Sequence, residues 1–571
     1  MYKSSKTGSL FTSAFQVCES KLKRLTKSWG THFHDRCFPL IREADFRTFY
    51  SRDNGCPCKS VRLVVAVLIL QSYFDLTDEE TQERVDFDLC WHLALGLDPC
   101  AEGDYVSQRT WQYFRAHLLT HDLIQQFFAD TTDQIIAAFG IRTDKQRIDS
   151  THILSNFAQL SRLGLFCETL RVFLRELRHA HPDQYGQLPQ SLRDRYHTAD
   201  GESSHYDDAR RSDTRRRLGV CARDAYRLFK KFHDGMSPSM ASSYHLLSRL
   251  IDEQCDLVDT PQIAESGDGD VDLPAVPITV KAAQAIESSV MQTPHDEDVT
   301  YSGHKGQGYD ALIVETYHEE NPFQVITHGR LEPACESDAT RVLSTVEALE
   351  ERGLLPEELL ADTSFGSSSN YVACALKGIE LIAPTPGKAS AQSTEGSTLL
   401  EDCNFDIDLL GGSPTVCPQG ITALATSVQQ AHDPPIAIIT MDSAVCAQCP
   451  LARQCARVSR DDGTDITIID LHAYSMAERR AFEETDEFQD LYRPRGGIEG
   501  TNSELKRGQG LGDLRVRRAA RVELAMFFRL LSCTMKRAIH YCQRQTKKQT
   551  ANLSVSAENI SGSNTKTSFS Y

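Results

Sequence analysis

Tyr492-Arg-Pro-Arg495-Gly-Gly-Ile-Glu499-Gly-Thr-Asn-Ser-Glu-Leu-Lys506 is the run whose reading decides this chain. As a pattern it is Y-x2-R-x3-E-x6-K. Glu499 offers a hard cation its carboxylate oxygens. Tyr492, Arg495 and Lys506 are side chains that bind phosphate oxygens. Together they suggest a metal beside a nucleic-acid backbone, although the run alone also fits the start of a solvated, charged helix. On a helix Glu499, Asn502 and Lys506 share one face, which adds Asn502 to the candidate DNA contacts. Pro494 and the Gly496-Gly497 pair leave the helix start open, so Tyr492 and Arg495 are free to reach phosphate from a preceding loop.

Two other acids stand where such a site needs them. Asp149 is expected to end a strand in Arg147-Ile-Asp149-Ser-Thr-His152, and Asp362 another in Leu360-Ala-Asp362-Thr-Ser-Phe-Gly366. In open sheets, functional groups collect at the carboxyl ends of parallel strands. If these two strands are neighbours, their carboxylates meet and a helix carrying Glu499 can pack beside them. Three carboxylates can hold two divalent cations about 4 Å apart, and an all-oxygen site suits Mg²⁺ or Mn²⁺. Arg495 and Lys506 would offset charge on a phosphorus undergoing in-line displacement.

Working outward, the pattern predicts an α/β core interrupted twice and preceded by helices. Residues 1–140 form a helical N-terminal domain after a lead-in of modest order to about 55. Val61–Tyr73 reads as a buried helix, Thr77 and Glu80 as a capping box, and Trp111, Phe114 and Leu118 as one helix face. This domain suits either DNA-end binding or a plain bundle. Residues 141–154 hold the first core strand. Residues 155–277 are a helical, arginine-rich insert followed by an acidic linker from 252. Residues 278–389 carry core strands and helices: a hairpin of 309–317 with 323–330, a helix capped by Ser337, a strand over 358–362, a helix over 367–377 and a strand over 379–384. Residues 390–475 are a cysteine-bearing insert. Residues 476–543 close the core with the Glu499 segment and a helix over 522–541. Residues 544–571, rich in Ser, Thr, Asn and Lys, are expected to be disordered.

The 571 residues carry a net charge of -18, which excludes a generally basic nucleic-acid coat and leaves DNA contact to local patches. One such patch spans Arg210 to Lys231, where Asp207, Asp208, Asp213 and Asp224 balance part of the charge. The other, Arg507, Arg515, Arg517, Arg518 and Arg521, directly follows the Glu499 helix and is the better candidate. No signal peptide is visible, and Leu63–Leu70 is too short to span a bilayer. The 18 cysteines therefore suggest mostly thiols in a reducing compartment. Cys446-x2-Cys449-x5-Cys455, with Cys417 upstream, supplies four ligands for a structural Zn²⁺, the other reading being unliganded thiols. Cys403 is a spare, and Cys56 and Cys58 are incidental. His152 reads as a local hydrogen-bonding residue, and His304 has no role.

On the Tyr492–Lys506 motif, the two Asp motifs and the strand order, the chain resembles the DDE transposases of bacterial insertion sequences, in the branch whose third motif is Y-x2-R-x3-E-x6-K. The resemblance spans most of 56–540. It implies a ribonuclease-H-like mixed sheet with flanking helices, with Asp149, Asp362 and Glu499 as a triad for two Mg²⁺ or Mn²⁺ ions. It implies that Tyr492, Arg495 and Lys506 bind DNA near the transposon end. It further implies cleavage at terminal inverted repeats, strand transfer into target DNA, a homodimer on paired double-stranded ends, and a bacterial cytoplasmic, nucleoid-associated location with no membrane partner. A catalytically silent DNA-binding derivative would lack a carboxylate, and none is missing. A related nuclease would cut without joining.

Overall fold

The computed structural model describes residues 18–42, 46, 49, 59–98, 101, 104–121, 123–196, 211–233, 237–262, 275–386, 405–408, 413–452 and 455–562. Its strands are β1 Lys145–Ile153, β2 Cys255–Gln262, β3 Val276–Val280, β4 Thr300–Ser302, β5 Gly306–Thr316, β6 Ile326–Pro333, β7 Glu358–Leu360, β8 Glu380–Ile382, β9 Ala425–Gln429, β10 Ile436–Asp442, β11 Arg457–Ser459 and β12 Thr464–Asp470. The central sheet runs β5-β1-β7-β8, with β6 and β4 also paired to β5. β1 is antiparallel to β5 but parallel to β7, and β7 is parallel to β8. The protein is thus a mixed α/β fold compatible with the ribonuclease-H-like class.

The hairpin forms, with β5 and β6 antiparallel and a register shift between Val314 and Glu315. Apolar runs explain the central strands. Ile148, Leu312, Val314, Leu359 and Leu381 pack with the helix Val342–Glu351 on one side, as strands covered on both faces require. On the other side Ile153, Tyr309, Ala311 and Ile313 share a single core with the N-terminal helices and the last helix, through Leu68, Phe127, Phe527 and Leu531. The N-terminal helices are therefore packed into the same core as the sheet. Val61–Phe74 is apolar almost all round and correspondingly buried. Thr77 and Glu80 make the reciprocal capping box of the next helix.

Several boundaries differ from expectation. The lead-in contains helices Glu19–Leu25 and Trp29–His32, and Phe33 and Cys37 enter the shared core. Cys56 and Cys58 lie outside the described residues. The stretch from 252 does not begin as a linker: the helix Ala241–Gln254 runs through Asp252, and β2 pairs antiparallel with β3. The reason is apolar: Cys255, Val276 and Ile278 close the insert's own core over Leu247, Leu250 and Phe173. Glu265, Asp268, Asp270 and Asp272 lie outside the described residues, as do Asp207, Asp208 and Arg210. In the arginine-rich helix Arg211–Lys231, buried Asp224 accepts from Arg195 at 3.0 Å, Tyr196 at 2.9 Å and Arg227 at 3.4 Å. Part of that helix's charge is therefore neutralised inside the insert. The cysteine-bearing insert folds into an antiparallel sheet ordered β11-β12-β10-β9. The last helix, Ala519–Gly562, continues well past Tyr541 into the segment expected to lack order.

One buried carboxylate ties these layers together. Glu315 on β5 is fully buried and receives Arg147 of β1 at 2.7 Å, Arg537 of the last helix at 2.8 Å and the Thr501 hydroxyl at 2.8 Å. Removing it would strand two guanidinium groups in the interior. Glu315→Ala is expected to destabilise the protein by about 3–5 kcal/mol, read from urea denaturation. A loss near zero would mean that the cluster is solvated.

Candidate active site

The parallel register between β1 and β7 brings the two aspartates together. Arg147 pairs with Leu360, the last pair in that ladder. Two residues further on, each chain presents its aspartate. Asp149 does not end its strand as expected. It lies mid-strand, because β5 goes on pairing with β1 as far as Ile153. What ends at Arg147 is the β7 side of β1, and the Asp149 side chain meets Asn502 and Arg495 of the Tyr492–Lys506 run. Asp362 lies just past β7 and accepts from the Ser364 N–H at 2.9 Å, capping the turn Thr363–Phe365.

The third acid arrives on a run of consecutive helical turns. The helix Asp486–Tyr492 is followed by a 3₁₀ turn Arg493–Arg495, the helix Gly496–Ser503 and a π turn Glu504–Gly508. Tyr492 and Arg495 thus precede the Glu499 helix but are continuous with it. Gly497 permits the docking of this run: a Cβ there would collide with the Arg147 guanidinium. That guanidinium cannot easily move away, because it is held by Glu315 and donates to the Pro494 carbonyl at 2.6 Å.

Arg495 is the hub. Its guanidinium lies 3.4 Å from Asp149 and 3.7 Å from Asp362, and it pairs with Glu499. All three predicted acids therefore surround one positive charge. Among the described residues no three His, Cys, Asp or Glu side chains stand close enough to hold a metal ion by themselves. The all-oxygen donor set fits Mg²⁺ or Mn²⁺, and the space between the acids is filled by the guanidinium. Asn502, expected on the DNA, is instead buried and donates to Asp149 at 2.9 Å. It faces inward because the helix packs that face against β1. Burial pushes the Asp149 carboxyl up to about 6; Arg495 pulls it down, and Asp362 and Asp338 push it further up.

Tyr492 is half-buried and stacks on Phe488 at 5.4 Å. Burial raises its hydroxyl, with Arg495 opposing and Asp362, Asp149 and Glu499 adding to the rise. Burial and the neighbouring Lys305 ammonium lower Lys506, and Asp310 and Asp149 oppose them. The sequence reading missed Asp338 and Lys305. Asp338 accepts from Ser150 at 3.0 Å and from Ser364 at 3.1 Å. Lys305 donates to Ser150 and Asp310, each at 3.1 Å. Asp338 belongs to no motif, and only the proximity of Lys305 to His304 in a Gly-rich turn drew attention to its segment. His152 bonds Asp310 and the Gln307 carbonyl, a local role.

The following basic segment is split. Arg507 and Arg518 are exposed. Arg515 is paired with Asp75 at 2.9 Å, and Arg517 donates to the Asn156 carbonyl, so both also hold the fold together. Cys417, Cys446, Cys449 and Cys455 line one small cavity in the insert. Cys403 lies outside the described residues.

A family model described as "Transposase DDE domain" matches residues 416–539, and a second, "Transposase domain (DUF772)", matches residues 27–116. The first covers the whole Tyr492–Lys506 run. Both matches make the chain similar to the DDE transposases of insertion sequences. Neither match reaches Asp149 or Asp362. Comparisons with curated proteins and with solved structures found no match. Among the described residues, no helix is long and apolar enough to cross a membrane.

Two outcomes follow for this site. Asp149 has a folded value near 6 against an ordinary 3.8, so the folded state retains a proton that the unfolded chain has lost. Its contribution to stability therefore falls as pH rises from about 4 to 6 and then levels. In EDTA, Asp149→Asn should gain on wild type by up to roughly 3 kcal/mol over that window, measured by denaturation at pH 4 and pH 7; a constant difference would contradict the shift. Gly497→Ala should cost about 1–3 kcal/mol through overpacking and should be partly relieved in the Arg147→Ala background. Additive losses in the double mutant would show that the two groups do not touch.

Proposed function

We propose that this transposase cuts DNA at the terminal inverted repeats of its element and joins the freed 3′ ends to target DNA. Asp149, Asp362 and Glu499 serve as the metal-binding carboxylates on a ribonuclease-H-like core. One observation carries this reading: three acids from β1, the end of β7 and a separate helix all face the Arg495 guanidinium. Asp149 is buried, Asp362 is partly exposed and Glu499 is largely exposed. A buried carboxylate held beside two others at an open edge is costly for stability and typical of functional sites.

The bound divalent ions would activate the attacking oxygen and stabilise the leaving oxygen of an in-line displacement at phosphorus. Asn502 fixes the orientation of Asp149 through its 2.9 Å hydrogen bond. Arg495 exchanges its carboxylate partners for phosphate oxygens when DNA enters, which leaves the acids free to ligate. Lys506, whose electrostatic neighbours include Lys305 and Asp149, adds positive charge for the strand. Tyr492 lines the approach, held by Phe488. Arg507 and Arg518 are exposed for backbone contact further along the duplex. End recognition falls in this reading to the N-terminal helices, and two copies act on paired ends.

With DNA bearing the element's own ends and Mg²⁺, Asp149→Asn, Asp362→Asn and Glu499→Gln should each lower strand cleavage at least about a thousandfold, with end binding retained in a mobility-shift assay. Cleavage at wild-type rates in any of the three would remove that residue from the triad. Nicked products that are never joined would make the protein a nuclease instead.

A further inference from the structure

We propose that the insert between Asp362 and Glu499 holds one structural zinc ion through Cys417, Cys446, Cys449 and Cys455. The claim is independent of the chemistry assigned to the three acids. The four thiols come from three places in the chain, Cys417, the Cys446–Cys449 turn and Cys455, and line the same cavity, of about 40 Å³, together with Arg457 and Asp465. That volume suits an ion or a water rather than an organic ligand. Each thiol is half-buried and free, whereas Cys37, Cys167, Cys221, Cys255, Cys374 and Cys533 are buried.

The backbone is folded for convergence. The Cys417 N–H bonds the Ile421 carbonyl at 2.9 Å and the Gly420 N–H bonds the Cys417 carbonyl at 2.8 Å, with Gly420 in the left-handed region at φ 76°. The Cys449 N–H bonds the Cys446 carbonyl at 3.2 Å, a tight turn that brings both thiols of C-x2-C to one side. Cys455 follows one turn later, its N–H on the Leu451 carbonyl at 3.1 Å. The thiols are also electrostatic neighbours: Cys446 senses Cys455 and Cys417, and Cys455 senses Cys449 and Cys417. Among the described residues the thiols are not grouped tightly enough to hold an ion as they stand, so binding would require the Cys417 turn and the Cys446–Cys455 segment to close on it.

Binding would replace four S–H protons with four Zn–S bonds, releasing the protons and leaving a tetrathiolate of net charge −2. The Arg457 guanidinium lines the same cavity but is paired there with Asp465, so it would be shared between that carboxylate and the thiolates. The ion would join the Cys417 turn to the β10–β11 connection, and through β12 it would steady the helix Leu471–Glu483 that leads into the Tyr492 run.

The full chain, purified without chelator in the Asp149→Asn background so that the acids do not contribute, should contain about one zinc per chain by mass spectrometry. Replacing zinc with Co²⁺ should give the sulfur-to-cobalt charge-transfer band and the d–d bands of tetrahedral thiolate ligation. Cys446→Ser/Cys449→Ser should lose the metal. Should that variant fail to fold, titrating the parent protein with a mercurial should release zinc, detected by a chromophoric chelator, in step with thiol modification. Sub-stoichiometric zinc after dialysis against Zn²⁺, disulfides in place of thiols, or release independent of thiol modification would each overturn the proposal.

Discussion

The buried carboxylate of Glu315 is the constraint on which the rest of the structure depends. It cannot sit at full burial on β5 without countercharge. The two guanidinium groups that answer it come from β1 and from the last helix. With Nε and Nη2 on Glu315, Arg147 turns its Nη1 to the Pro494 carbonyl. A single buried charge thus determines where the Tyr492–Lys506 run docks and how close its helix approaches the sheet. Gly497 is the complement of that arrangement, since only a residue without a Cβ leaves room for Arg147.

Charge balance around the three acids follows from the same docking. Once Pro494 is held, Arg495 projects between Asp149, Asp362 and Glu499 and keeps a cluster that would otherwise repel itself. Burial nonetheless leaves Asp149 with a raised proton affinity. The site is therefore arranged around positive charge, and a guanidinium supplies it within the chain. A divalent cation would compete with Arg495 for the same oxygens.

Much of this was legible in the sequence, and what was not has physical causes. Strand order, the β5–β6 hairpin and the Thr77 capping box follow from local patterning and turn chemistry, which read directly from residue type. The proximity of Asp149 and Asp362 followed from assuming neighbouring parallel strands. The mid-strand position of Asp149 did not, because strand ends depend on which partner continues, and here β5 outlasts β7. Asn502 was assigned outward from its residue type, whereas packing turned it inward onto Asp149. Asp338 and Lys305 were invisible because only tertiary contact brings them to Ser150. The β2–β3 pair was hidden under acidic composition, with its buried Cys255 and Ile278 too sparse to signal a strand.

The most direct test of the central claim, that these three acids form one cation site, is Mn²⁺ binding to the DNA-free protein followed by electron paramagnetic resonance. Wild type should bind Mn²⁺, and Asp149→Asn, Asp362→Asn and Glu499→Gln should each weaken that binding. Arg495→Gln, which removes the competing guanidinium, should strengthen it. Unchanged Mn²⁺ binding in all three acid variants would contradict the account.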